Sequence, residues 1–236
     1  MSASEDFSFS AEQFSGIARL FPLPNLVLFP HVMQPLHIFE PRYRDLFREA
    51  VAGDRLIAMA LLAPGWEADY EGRPPLYPVA CLGRVAAHYG LPDGSYNLLL
   101  SGLKRVEIVR ELPPLKTFRE AEVALRDDSY PDAPPEAADQ LRRKFKEAFE
   151  KVVPALVSSH GHMDPLIVET GVSLGVLTDI LSYMLDISLA DKEALLAEGN
   201  VYRRAEMLLD HLARVSADTS PGAAGALEFP PTFSEN

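Results

Sequence analysis

The apolar positions of this 236-residue chain change their spacing near residue 127. Before that point they come as short runs or at every second position, the spacing of strands. After it they recur every three or four residues, the spacing of amphipathic helices. In the first part, Leu26-Val27-Leu28-Phe29 is an uninterrupted apolar run and reads as a short strand buried on both faces. Pro22, Pro24, Pro30 and Pro35 surround it. Each fixes its φ and lacks the N–H that a ladder uses, so no other stretch of residues 21–30 is expected to be strand. Pro30-His31 turns the chain, and Gln34 to Phe39 begins a second extended piece. Glu40-Pro41-Arg42-Tyr43 then opens a helix. Proline suits the first helical position, and Tyr43, Leu46, Phe47 and Ala50 share one face up to a stop at Gly53.

Strand spacing returns further on. Asp93-Gly94 is a hairpin signal, because glycine accepts the positive φ of a tight turn. Tyr96, Leu98 and Leu100 then alternate with Asn97, Leu99 and Ser101, which makes one face apolar and the other mixed. Gly102 interrupts the strand where a bulge or barrel corner would fall. Val106 and Ile108 resume the period of two, and Thr117 to Leu125 adds a strand with Phe118, Ala121 and Val123 as its apolar positions. Several short strands and one early helix predict a small, strongly bent sheet or barrel.

Asp127 to Pro135 is acidic and proline-rich and reads as an exposed connector, in which Asp127, Asp128 and Asp132 form a solvated charge run. Beyond it, Leu141, Phe145, Ala148, Phe149, Val152 and Val153 follow helical spacing up to Pro154, and Leu174, Leu177, Ile180, Leu181, Met184 and Leu185 form a second stripe. Ser188 and Asp191 read as the capping pair of a short helix that Gly199 ends. Asn200 caps another, carrying Val201, Ala205, Leu208, Leu209 and Leu212. The expected organisation is a disordered tail over 1–15, a barrel subdomain over 16–126, a connector over 127–135, a helical subdomain over 136–215 and a disordered tail over 216–236.

The segment from Phe21 to Tyr43 resembles the amino-terminal substrate-binding domain of Lon proteases. So do Val79 to Ala86, with its Gly83, the hairpin and glycine kink from Leu91 to Ile108, and Leu185 to Leu196. Glu193 stands where that family commonly carries glutamine. The resemblance covers most of residues 17–215 and implies an α+β fold: a PUA-like small β-barrel with one early helix, followed by a C-terminal α-helical bundle. It also implies recognition of exposed apolar segments of client proteins, acting alone or beside a protease or chaperone partner.

Charge and composition narrow the chemistry. A formal charge of −12 and a pI near 4.9 disfavour a phosphate-binding surface, so the RNA- or nucleotide-binding alternative that the wider PUA-like class implies would need a basic groove this composition does not advertise. No apolar stretch approaches the roughly 20 residues of a membrane span, the amino terminus has no signal-like core, and Cys81 is the only cysteine; a cytoplasmic protein is expected. The sequence has no G-x-x-x-x-G-K-[ST] phosphate loop and no segment that reads as Lon's ATPase or serine–lysine protease module, so a non-enzyme is expected. A small-molecule enzyme of unknown type stands as the third reading, without a motif to carry it. His160-Gly161-His162-Met163-Asp164 gathers two imidazoles, but structural metals commonly hold four ligands. His160 and His162 are therefore weak metal candidates in what reads as a polar loop, and no cofactor is expected. Cys81, in an apolar strand without a neighbouring cation, reads as packing, as does His37.

Binding features stand out more clearly. Residues 64–77 form a loop-like insertion carrying Trp66, the chain's only tryptophan, with Tyr70 and Tyr77. Large amphipathic aromatics on a loop are anchors for a peptide or protein partner, or fold back over the barrel mouth. Trp66, Tyr70 and Tyr77 are the candidate binding residues. An exposed sheet edge that pairs with an extended peptide is the other route to the same function.

Overall fold

The computed structural model describes residues 9–131, 136–157 and 172–218. Six strands, β1 (Ile17–Leu23), β2 (Met33–Ile38), β3 (Leu56–Leu62), β4 (Leu76–Gly90), β5 (Tyr96–Glu111) and β6 (Arg119–Arg126), form one sheet in the order β2-β5-β4-β3-β1-β6. β5 also pairs with β6, which closes five strands into a barrel and leaves β2 outside it, bonded only to the first half of β5. The barrel interior is narrow and is filled largely by alanine: Ala18, Ala58, Ala60, Ala80 and Ala121 pack with Leu20, Leu82 and Val106. β3 is buried along its whole length because it faces two cores. Ala58 and Ala60 point into the barrel, while Ile57, Met59 and Leu61 point into a larger core on its outside.

The larger core joins the barrel to the helices. Helix α1 (Pro41–Ala52) inserts Tyr43, Leu46, Phe47 and Ala50, the stripe its spacing predicts. Helices α2 (Ala137–Val157), α3 (Leu174–Met184), α4 (Leu189–Ala197) and α5 (Val201–Asp218) supply Phe145, Leu177, Leu181, Leu195 and Leu208 to the same cluster. The predicted caps are in place. Ser188 accepts from the Asp191 amide, and the Asn200 side chain accepts from the amides of Tyr202 (3.0 Å) and Arg203 (3.2 Å). Asn200→Ala is expected to cost about 1 kcal/mol. Thermal unfolding checks it as a fall in Tm of about 2–4 °C.

Local reading fails in several places, each for an identifiable reason. Val27–Phe29 are buried and Leu26 partly so, but the run is not a strand; the strand is β1, which contains Pro22. β1 pairs with β6 only up to Leu20, so at Pro22 β3 is its sole neighbour and the missing N–H leaves no ladder bond empty. Pro35 is tolerated in β2 by the same logic, since that strand has one partner. Helix α2 runs through Pro154 to Val157. Phe9 and Phe14, assigned to a disordered tail, pack against the barrel core around a short 3-10 turn at Ala11–Gln13. Residues 1–8 and 219–236 of the expected tails, and 132–135 of the expected connector, lie outside the described residues.

The connector also differs from its expected character. Asp128 is no solvated charge: it takes Arg204 in a two-pronged contact of 2.9 and 2.8 Å and Arg105 at 3.2 Å. Arg105 on β5 and Arg204 on α5 are buried, and both reach Asp179 on α3, which has no exposed side-chain surface. Arg105 further donates to the Leu196 carbonyl at 2.8 Å, and Arg204 to Thr178 Oγ1 at 2.9 Å. Against its own burial, Asp128 is held below the usual carboxylate range by these two guanidiniums. Burial pushes Asp179 upward, although the same two groups oppose it. Two cations and two anions, drawn from the barrel, the connector and two helices, thus form one electrostatic joint, with His31 Nε2 3.9 Å from Asp179.

Candidate functional site

A cleft of about 210 Å³ opens beside the aromatic loop, between the start of α1, the segment after Tyr70 and the β5–β6 turn. Its floor is apolar: Pro22, Tyr43, Leu62 and Phe118. Tyr43 is fixed there by an edge-on contact with Phe21 (4.3 Å between ring centres) and by its hydroxyl, which donates to the Pro22 carbonyl at 3.0 Å; burial raises its pKa. The rim is cationic, with Arg42, Arg73, Lys116 and Arg119 against a single lining carboxylate, Glu71. Each cation is braced from behind by acids that do not line the cleft. Arg42 meets Glu40 at 2.9 Å, and Lys116 meets Glu49 at 2.7 Å and Glu120 at 2.9 Å. Arg73 and Arg119 share the one carboxylate of Glu111, at 2.6 and 2.9 Å from the same oxygen. Burial opposes ionisation of Glu111, yet the two guanidiniums hold its pKa below the ordinary value. These four acids are committed to neighbouring cations.

Of the three aromatic candidates, the structure places Tyr70 in the lining of this cleft and Trp66 against Tyr70. Tyr70 lines it; its hydroxyl donates to Glu40 at 2.9 Å, and Arg42 lies over its ring at 4.8 Å. Trp66 meets Tyr70 edge-on at 5.6 Å, on a 3-10 turn at Trp66–Asp69 that starts from Gly65 with φ of 92°. Tyr77 sits elsewhere, partly buried at the start of β4 and packed against the larger core. His160 and His162 lie outside the described residues. Among the described residues, no group of three or more histidine, cysteine or acidic side chains could hold a metal ion. Cys81 is fully buried, and burial drives its thiol pKa upward.

A second surface runs away from the cleft. On β2 the even positions Gln34, Leu36 and Ile38 face the core, while Met33, Pro35, His37 and Phe39 face out. Met33 is 46% exposed and Phe39 40%, and Tyr89, on the neighbouring end of β4, is 56% exposed. Leu99 stands between them opposite Pro35 and Ala87. The polar groups of this face satisfy one another: His37 contacts Asn97 Oδ1 at 2.7 Å, and Asn97 donates to the Tyr89 hydroxyl at 2.6 Å. None of these residues carries a carboxylate or a guanidinium, which is unusual on a chain of net charge −12. Phe39 is followed at once by Glu40, the residue that holds Tyr70, so the uncharged row leads to the aromatic edge of the cleft.

The cationic rim escaped sequence reading because its members lie far apart in the chain. One signal was present: Arg119 shares strand parity with the buried Ala121 and Val123, so a charge was due on an inward face.

A five-stranded barrel with one outer strand and a docked helical part is the architecture of Lon amino-terminal domains. The Lon N-terminal domain protein from Xanthomonas campestris superposes with a TM-score of 0.58 at 24% identity, over 82% of this chain and 97% of that one. The N-terminal domain of Mycobacterium avium complex Lon protease gives a TM-score of 0.63 at 14% identity, over 84% and 98%. Residues 17–214 match the family described as the ATP-dependent protease La (LON) substrate-binding domain, and the chain belongs to that family. It is 29% identical over 203 residues to the Lon protease of Heliobacterium modesticaldum and 24% identical over 206 residues to that of Cytophaga hutchinsonii. It spans 23% and 25% of their lengths, about a quarter of these curated relatives. No helix among the described residues is long and apolar enough to cross a membrane.

Proposed function

We propose that this chain is a non-catalytic polypeptide-binding module that takes up exposed apolar segments of client proteins, either by itself or in the service of an ATP-dependent protease. The observation that carries this reading is the uncharged outward face of β2 with Met33, Phe39, Leu99 and Tyr89, on a strand whose second edge has no strand partner among the described residues. An extended segment laid along β2 gains backbone hydrogen bonds from that edge and apolar contacts from the face, a recognition mode that needs no particular client sequence. Trp66 and Tyr70 extend the apolar contact at the far end.

The test is binding to a permanently unfolded, apolar-rich polypeptide beside the same chain folded, followed through Trp66, the only indole present. The unfolded form is expected to bind selectively. Met33→Asp with Phe39→Asp is expected to weaken binding by about tenfold or more while the protein stays folded, with only a modest fall in Tm, because 46% and 40% of these residues already face solvent. Equal binding of folded and unfolded chains would sink the reading. Wild-type affinity in the double variant would move the site off β2.

A further inference from the structure

We propose that the cleft beside Tyr70 is a carboxylate pocket, which reads an acidic group next to an apolar side chain of the bound polypeptide; this deepens the client-binding reading and rests on it. The floor of Pro22, Tyr43, Leu62 and Phe118 suits an apolar side chain, and a space of about 210 Å³ is of side-chain size rather than domain size. The rim selects what accompanies that side chain. Four cations and one carboxylate line the cleft, on a protein whose overall charge is strongly negative.

The supporting acids sit behind the cations and number fewer than full pairing requires at the key place, since Arg73 and Arg119 hold a single carboxylate between them. A second carboxylate entering from the open side completes that unit, with two guanidiniums for two anions. Arg73 and Lys116, with about a third of their side chains exposed, present a solvent-facing side to it while held by their own acids; Arg119, 9% exposed, is the most enclosed member. Charge-assisted bonds of this kind are stronger than neutral ones and reject an amide, which brings N–H donors against guanidinium donors. A phenyl or leucyl side chain on the floor with its own or a neighbouring carboxylate at the rim is therefore the unit that fits. That carboxylate comes either from the chain terminus or from an aspartate or glutamate side chain.

Three N-acetylated hexapeptides of one apolar sequence separate the cases: one ending in a free carboxylate, one in an amide, and one in an amide with an aspartate beside the apolar run. Fluorescence anisotropy is expected to show at least one acidic peptide binding about tenfold tighter than the neutral one. Which one is favoured identifies the source. In Arg73→Gln with Lys116→Gln, the acidic peptides are expected to fall to the affinity of the neutral one. N-acetylphenylalanine, against its amide, serves as the fragment-sized probe by NMR and needs no extended client contact. Equal affinity of all three peptides overturns the carboxylate pocket and leaves client binding standing. A preference that survives in the double variant overturns it as well. Silence of the peptides together with N-acetylphenylalanine overturns both.

Discussion

Arg204→Met is expected to lower stability by about 3–5 kcal/mol, the usual cost of removing one partner from a buried charge cluster. The guanidinium leaves Asp128 and Asp179 to share Arg105, strands the Glu198 carbonyl that it bonds at 2.8 Å, and takes a donor from Thr178. The methionine fills most of the volume but answers none of these groups. In urea unfolding the midpoint should fall with an unchanged slope, because the joint adds little to the surface exposed on unfolding. The deficit should also depend on pH. Asp128 has a depressed pKa in the folded protein, so its contribution is present above its unfolded value of 3.8 and lost as pH falls through the folded one. Removing Arg204 takes away most of that contribution at neutral pH, leaving what Arg105 supplies, and the gap between variant and wild type should narrow below about pH 4. A second substitution sharpens the test. Arg204→Met with Asp128→Leu leaves the Arg105–Asp179 pair intact and removes the stranded anion, so it should recover about 1–3 kcal/mol relative to the single variant. Simple addition of the two single effects would show that the four groups do not act as a unit.

The same joint marks where reading along the chain stops being informative. Asp93-Gly94, the α1 stripe from Tyr43 to Ala50 and the Asn200 cap depend on residues within a few positions, and each stands where local physics puts it. Asp128 lies 76 positions from Arg204 and 23 from Arg105, and without them an aspartate in an acidic, proline-rich stretch is indistinguishable from a solvated one. Pro22 misleads for a related reason. Exclusion of proline from strands assumes two bonded neighbours, and only closure of the barrel determines that this position has one. The cleft follows suit: Trp66 and Tyr70 were recognisable as a loop pair, whereas Arg73 and Arg119 meet at Glu111 across 38 and 8 positions. Elements set by periodicity are thus visible early, and a site built by convergence becomes visible only with the fold.

Glu193→Gln should make the protein more stable at pH 7.5 by about 4 kcal/mol, and at pH 5 by less than about 1 kcal/mol. Glu193 lies on α4 with 3% of its surface exposed, and neither carboxylate oxygen has a hydrogen-bond partner among the described residues. Burial therefore pushes its pKa up to about 8 from the ordinary 4.5. Its neighbour Lys192 brings no relief, since that ammonium donates to the Tyr183 carbonyl at 2.9 Å. The sign follows from proton counting. Between pH 4.5 and 8 the folded protein holds the proton and the unfolded chain has released it, so stability falls as pH rises through this window. Each pH unit inside it costs about 1.4 kcal/mol, which amounts to roughly 4 kcal/mol by pH 8 and to about 3 near neutrality. Glutamine keeps the volume and the polar cost but cannot ionise, so its advantage should appear only where the glutamate is being forced to stay protonated. Urea unfolding of both proteins from pH 5 to 8.5 measures this directly. Parallel stability curves would mean that the carboxylate finds a partner or water in solution. Converging curves at pH 5 that separate above pH 6 would identify Glu193 as a buried, unpartnered carboxyl that costs the α4 packing stability at neutral pH.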